Sequence, residues 1–415
     1  MTAHEPDTRI LVLYIGTRRL AAIVAEAVGD QPRILRFAQV PYAEGFAAGE
    51  VTQFDKALLS IQEILKRLEM GDDLYEIPAY VLLSNSHLKM SRFTSSIYYQ
   101  GYPRTITPLE VRHVIDQTRS VAPLPLEDWV LQFVPESFWV NDLKGVENPV
   151  GLEAQRLAVT LQLFTSNYSS FRNISRLIDS LEVNIQGYYP KTVVLPSGVL
   201  NSVEKAGETF ILDISDEVTH LILTREEKII QAKSLDFGSR FLTNRIAKNW
   251  KLGLKDAETL KERFGSLEEK VEFGEELIPL VERNGLQNHQ IKRAEFHQTF
   301  AGYGEEFFLR LQEEVSLFLE QEKISFPHFV VTGGGVCLEG LLDFLSRKFE
   351  APVRLGTPRS TEGAAELSMD PGWSGVVGLL RWLQTDKTFR TPAPGKENLL
   401  GRTFVQVKDW LAAYF

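Results

Sequence analysis

Three strand-ended turns follow one another along this chain and leave few folds open to it. Ile10–Ile15 is an apolar run that enters a Gly16-Thr17 turn and leaves as a second apolar run from Leu20. Phe210–Ile214 does the same through Ser215-Asp216-Glu217-Val218 and continues as Thr219-His220-Leu221. Late in the chain Phe329-Val-Val-Thr332 meets Gly333-Gly334-Gly335 and opens onto Leu338–Leu345, whose apolar residues have helical spacing. Hairpins that give way to helices in both halves of the chain predict two related α/β domains around a cleft.

At 415 residues the chain is long enough to bury a large core and to divide into more than one unit. Its 44% hydrophobic and 24% charged residues are those of an ordinary folded protein. A net charge of −10 argues against nucleic acid, which calls for a basic face. The lone cysteine, Cys337, excludes a disulfide framework and fits a reducing cytosol; its place after the glycine turn predicts a small buried packing residue rather than a reactive thiol. Met1–Asp7 has neither an apolar core nor a leading basic cluster, so no signal peptide is expected. No apolar run reaches the ~18–20 residues that span a bilayer. The histidines are scattered, and His289 with His297 is not a ligand spacing, so no metal site is expected.

Strands are predicted at Ile10–Tyr14, Leu20–Ala25 and Arg33–Val40, then a helix from Phe54 and a buried strand at Ala79–Leu83. From about residue 88 to 165 the pattern changes. Thr107-Pro108-Leu-Glu110 starts a helix, and Trp129–Val134, Phe138–Val140 and Leu157–Phe164 read as strands. A helix at Phe171–Leu181 precedes the second hairpin. Residues 240–325 read as mostly helical, with Asp256–Phe264 ended by Gly265. Strand Phe329–Val331, helix Leu338–Lys348, strand Pro352–Leu355 and a helix over 372–384 follow. Thr391–Asn398 is linker-like.

Four stretches carry a family resemblance: Glu44–Val51; Phe133–Phe138 with Gly145–Leu152 and Arg156-Leu157; Asp256–Gly265; and an amphipathic segment after a linker. With them, and with Asn148-Pro149-Val150-Gly151 as the specific signature, the sequence resembles the bacterial cell-division FtsA family of actin-like proteins over essentially its whole length. The resemblance implies a two-domain fold of the actin and sugar-kinase superfamily, with an inserted subdomain of the 1C type and a C-terminal amphipathic helix. It divides the chain into a first domain at 8–87, the insert at 88–165, a return to the first domain at 166–205, and a second-domain core at 206–240. A helical subdomain at 241–325, the core again at 326–360, the first domain again at 361–390, a linker at 391–398 and a membrane-targeting helix at 399–415 complete it.

In that family ATP and Mg²⁺ are held by the two hairpin loops and the glycine turn. The resemblance places cofactor-binding roles on Gly16, Thr17, Asp213, Thr219, Glu258, Lys261, Gly333, Gly334 and Gly335. The chain departs from the pattern at Tyr14, where the metal-organising aspartate belongs, and at Ser215, Asp216, Glu217 and His220 in the second loop. Tyrosine offers no carboxylate to a cation. Side chains in place of glycines block the approach of backbone to phosphate, and the two carboxylates would repel it. No catalytic residue is assigned; Asp213 is the one retained acidic candidate. On the residues alone, Glu258 with Lys261 is equally an exposed i,i+3 pair, and the glycines equally a tight strand-to-helix turn.

Leu400, Phe404, Val407, Leu411 and Tyr414 fall on one helical stripe, flanked by Trp410 and Phe415. Such a segment lies in a membrane interface or packs in the body as a core helix. The resemblance implies a scaffold that tethers FtsZ filaments through the FtsZ C-terminal peptide, self-associates, and binds inner-membrane lipids through residues 400–415. Its place would be the cytoplasmic side of the inner membrane at the division septum, with weak or no ATPase activity. The alternatives are a nucleotide-controlled polymerising ATPase of the same family and an actin-like adaptor of another envelope machine, such as the type IV pilus.

Overall fold

Leu11, Val12, Ala22, Ile23, Val24 and Ala25 have essentially no exposed surface, so their strands are apolar throughout because both sheet faces are covered. They belong to the first of two units in the computed structural model, which describes residues 9–26, 31–269, 273–281, 288–324, 327–359 and 361–385. Of the described residues, the first unit comprises those up to Gly198 with 361–365 and 375–385, and the second those of Val199–Arg359 with Glu366–Ser374. The linker at 391–398 and the tail at 399–415, with its expected membrane residues, lie outside the described residues.

The first unit is built on a sheet ordered Ile185–Pro190, Ala79–Leu83, Arg9–Ile15, Arg19–Glu26, Arg33–Pro41. Arg9–Ile15 runs antiparallel to Arg19–Glu26, the expected first hairpin, and parallel to Ala79–Leu83. Helix Phe54–Arg67 buries Ala57, Ile61, Ile64 and Leu65 in this unit's core. Helix Tyr168–Asp179 starts three residues before the expected Phe171. Asn167 caps it there, its Oδ1 accepting the Ser169 and Ser170 amides at 3.0 and 3.2 Å.

Between those helices the chain makes a strand series ordered Leu143–Val146, Asp128–Val140, Arg156–Asn167, Lys89–Tyr98. Leu157, Val159, Leu161 and Leu163 alternate onto one face, where they form a core with Val111, Val114 and Ile115 of helix Pro108–Val121. That helix begins as expected, with a Thr107–Glu110 capping box. The signature residues 148–151 form a turn: the Val150 amide donates to Asn148 Oδ1 at 3.0 Å and the Gly151 amide to the Ile106 carbonyl at 2.9 Å. The two strands expected at Trp129–Val134 and Phe138–Val140 are one strand, Asp128–Val140. Pro135 sits where the register slips between Thr160 and Leu161, so a bulge absorbs the missing amide without ending the strand.

The second unit carries the strand series Lys228–Leu235, Thr219–Arg225, Glu208–Ile214, His328–Thr332, Val353–Leu355. The first three are antiparallel neighbours, and the last two run parallel to Glu208–Ile214 and to each other respectively. Helices Arg240–Asn249, Leu254–Phe264 and Arg293–Glu322 cover a core rich in phenylalanine, including Phe296, Phe300, Phe307, Phe308 and Phe318. Residues 240–325 are therefore not all helix. Leu277–Val281 pairs antiparallel with Asn288–Lys292, a hairpin whose short apolar run carries no clear strand alternation in sequence.

Two further expectations are corrected. The helix expected from Leu338 begins at Leu341, after a 3₁₀ turn at Gly334–Val336 and a left-handed Gly340 at φ +74°. Cys337, expected to be buried, is exposed, because that turn points position 337 outward before the helix starts.

Candidate functional site

In the first hairpin the strand geometry pairs Tyr14 with Ala21, and Gly16 N–H donates to the Arg19 carbonyl at 3.0 Å to close the turn. Tyr14 is 5% exposed and its ring folds back over Gly16; a Cβ there would lie 2.7 Å from both the ring's Cζ and its hydroxyl. The space a Cβ at 16 would take is filled by the ring of its own neighbour two residues back. Thr17 is half-buried at the tip. The Lys191 ammonium, on a residue 1% exposed, stands 5.9 Å over the Tyr14 ring. The family's metal position thus holds an aromatic ring beside a buried cation. These residues do not fit a divalent metal.

The second hairpin is closed by different means. Ser215 and Asp216 offer their carbonyls to the Ser239 and Arg240 amides at 2.9 and 2.7 Å, so the loop backbone occupies the first N–H groups of helix Arg240–Asn249. Asp216 is turned onto Arg240, with Oδ2 2.9 Å from Nε and 2.5 Å from Nη2, and Glu217 Oε1 lies 3.4 Å from the same Nε. The expectation of two bare carboxylates repelling phosphate is corrected accordingly: one guanidinium holds both, leaving a single net negative charge in place of two. The helix amides and the loop side chains are engaged within the chain. Thr219 Oγ1 donates to the Phe237 carbonyl at 2.9 Å, and His220 Nδ1 meets Ser234 Oγ at 2.7 Å.

The glycine turn closes against this hairpin. Gly333 has φ +98°, and a Cβ there would come within 2.4 Å of Asp213 Oδ1 and 2.5 Å of the Ile214 carbonyl. Gly335 is nearly as tight, against Ile214 and Ser239, whereas Gly334 faces open space. Asp213 itself is completely buried. Glu258 and Lys261 are not an exposed pair: they are 6% and 7% exposed and ion-paired at 2.9 Å. Lys261 Nζ reaches the Ser239 carbonyl at 3.4 Å, and Thr243 Oγ1 donates to Glu258. The second unit therefore brings Asp213, Gly333, Gly335, Glu258 and Lys261 around Ser239 at the start of one helix, while Gly16 and Thr17 sit in the first unit.

Sequence reasoning missed Arg240, Ser239 and Lys191. Arg240 left a legible trace, since a cation in the first turn of a helix opposes the macrodipole and calls for a compensating anion. Lys191 stood as a lone charge inside the apolar run Tyr188–Leu195. Among the described residues no group of acidic, histidine or cysteine side chains is arranged to hold a metal ion, and no helix is long and apolar enough to cross a membrane.

Comparison with known proteins now bears on this geometry. A family model described as "Cell division protein FtsA" matches residues 210–378, and one described as "SHS2 domain inserted in FTSA" matches residues 85–165. The cell division protein FtsA of Pseudomonas aeruginosa is 22% identical over 383 residues, covering 92% of this chain and 91% of that protein. Among solved structures, the PilM–PilN type IV pilus biogenesis complex has a TM-score of 0.63 at 17% identity, covering 90% of this chain and 98% of the other. MreB5 of Spiroplasma citri bound to AMPPNP has a TM-score of 0.54 at 12% identity, covering 92% and 98%. At such identities these two likenesses speak for the actin-like fold alone. The insert is what separates this chain from a plain actin-like body, and with the sequence relatives it makes the chain an FtsA-like cell-division protein.

Proposed function

We propose that this protein is a non-catalytic, actin-like scaffold that tethers FtsZ filaments to the cytoplasmic membrane at the division septum, with little or no ATP turnover. It holds the FtsZ C-terminal peptide, associates with copies of itself, and reaches inner-membrane lipids through Leu400, Phe404, Val407, Trp410, Leu411, Tyr414 and Phe415. A single interfacial helix binds weakly, so self-association would supply the avidity. The observation that carries the loss of turnover is the Arg240 clamp on Asp216 and Glu217, which fills the second loop with the chain's own charges. Binding of a fluorescent ATP analogue with and without Mg²⁺ tests it; micromolar Mg-ATP binding by the unaltered protein would overturn it. Tethering is tested by sedimenting FtsZ with vesicles of inner-membrane lipid. The scaffold should carry FtsZ down, and a variant with Phe404→Asp and Trp410→Glu should not.

The intact Glu258–Lys261 pair and the Gly333–Gly335 turn favour a second reading, a nucleotide-controlled polymerising ATPase. It predicts that filament mass follows added ATP. The scaffold reading predicts filaments indifferent to it.

A further inference from the structure

The root of the insert, where it leaves and rejoins the first unit, holds a polar cluster that no part of the proposed tethering uses. The inbound segment is Ser84–Lys89 and the outbound one Thr165–Ser170. Between them stands Glu50, on the short hairpin Phe46–Ala47/Glu50–Val51. Its Oε2 accepts a short hydrogen bond from Ser170 Oγ, in the first turn of helix Tyr168–Asp179, where an anion also meets the positive end of the helix. Its Oε1 lies 3.9 Å from His87 Nε2 on the inbound segment. The hairpin reaches this position because Gly49, at φ +77°, lets the backbone press on the Ser84 carbonyl; a Cβ there would be 2.2 Å away. Ser84 N–H in turn donates to the Ile15 carbonyl at 3.1 Å, the last residue before the first loop.

The insert has a second attachment of another kind. Trp129 stacks on Phe171 at 5.4 Å, and Gln132 Nε2 donates to the Tyr188 carbonyl at 3.0 Å. That contact is aromatic and neutral, so charge does not act on it. At the Glu50 cluster the chargeable groups are Glu50 and His87, with Lys89 at the end of the inbound root paired at 3.2 Å to Asp128 at the start of strand Asp128–Val140.

We propose that Glu50 is a latch that fastens both roots of the insert to the first unit, and through Ser84 to the first hairpin. Its Oε2 holds Ser170 on the outbound root while its Oε1 faces His87 on the inbound one, and loss of both leaves the aromatic attachment as a pivot. Burial raises the Glu50 carboxyl above its ordinary range, against the opposing effects of Ser170 and His87.

Hydrogen exchange on the full chain at one pH tests this. Glu50→Ala should speed exchange by about tenfold or more at both 84–89 and 165–170, the scale of losing a charged hydrogen bond, while Arg9–Ile15 and Leu157–Leu163 hold their protection. Glu50→Gln keeps an oxygen that accepts from Ser170 but removes the carboxylate that faces His87, and should loosen 84–89 alone. Ser170→Ala should loosen 165–170 alone. Faster exchange confined to the hairpin at 46–51 would make Glu50 a local packing residue and overturn the latch. An even rise across the first unit would overturn it too, because it would report lost stability rather than a released root.

Discussion

The two hairpins begin from the same plan and are closed by opposite means. The first keeps its Gly16-Thr17 turn, but a ring two residues upstream lies on it and a buried amine lies over the ring. The second has lost its glycines, and an arginine from the following helix gathers the side chains that replaced them. One loop is filled by an aromatic ring and the other by a set of ion pairs. A retained motif is therefore no better evidence of a working phosphate loop than a lost one. What counts is whether the backbone N–H groups still face outward, and beside the second hairpin the Ser239 and Arg240 amides at the start of the next helix are already engaged by the loop's own carbonyls.

The largest expected effect separates the glycines that support these loops. Gly333→Ala meets a carboxylate and a backbone carbonyl at a positive φ, neither able to retreat, and should cost roughly 3 kcal/mol or more of stability in chemical denaturation. Gly334→Ala, facing open space, should cost less than roughly 1 kcal/mol. Equal losses at both positions would mean that the turn is not packed on Asp213 as described.

Arg240→Ala should come next. It leaves Asp216, whose side chain is 4% exposed, without its guanidinium; because Arg240 itself is about a quarter exposed, the loss should be about 2 kcal/mol rather than the full cost of a buried pair. Exchange at 213–219 should rise with it. If the Ser215→Gly, Asp216→Gly, Glu217→Gly variant with Tyr14→Asp gains ATP affinity while either half alone does not, both closures matter. A gain from one half alone would show that a single closure sets the affinity.

The first hairpin gives a smaller number and a sharper one. Gly16→Ala collides mainly with the far end of the Tyr14 side chain, which can swing away, so about 1–2 kcal/mol is expected, and much less in a Tyr14→Ala background. Additive losses would deny that the ring is what presses on Gly16.

The smallest effect is a matter of sign. Burial raises the folded-state pKa of Glu50 above the ordinary carboxylate range, so its favourable contribution is complete below that range and declines as pH rises through the raised value. Relative to Glu50→Gln, the native protein should therefore lose thermal stability between mildly acidic and neutral pH. A difference that grows in the opposite direction would remove the buried-charge account.

Much of the body was legible because local rules and tertiary demands agreed. Ile10–Tyr14 and Ala79–Leu83 announced buried strands by unbroken apolar runs, and Thr107 with Glu110 announced a helix start. Legibility failed where a distant residue decided. Pro135 reads as a strand end until a partner strand supplies a bulge, and Leu277–Val281 lies in a stretch that reads as mostly helical until Asn288–Lys292 lies beside it. Cys337 reads as buried until the glycine turn is seen to extend through Gly340.

By itself the sequence determined which loops depart from the family's phosphate pattern, since a tyrosine or a carboxylate in place of aspartate or glycine changes the available chemistry wherever it lies. Only the tertiary structure decided how each departure is accommodated. The Arg240–Asp216 pair spans 24 residues, and the Lys191–Tyr14 contact lies between far-separated strand ends. Such partners are chosen by how strands and helices are stacked, because electrostatic and van der Waals interactions depend on distance in space and not on spacing along the chain.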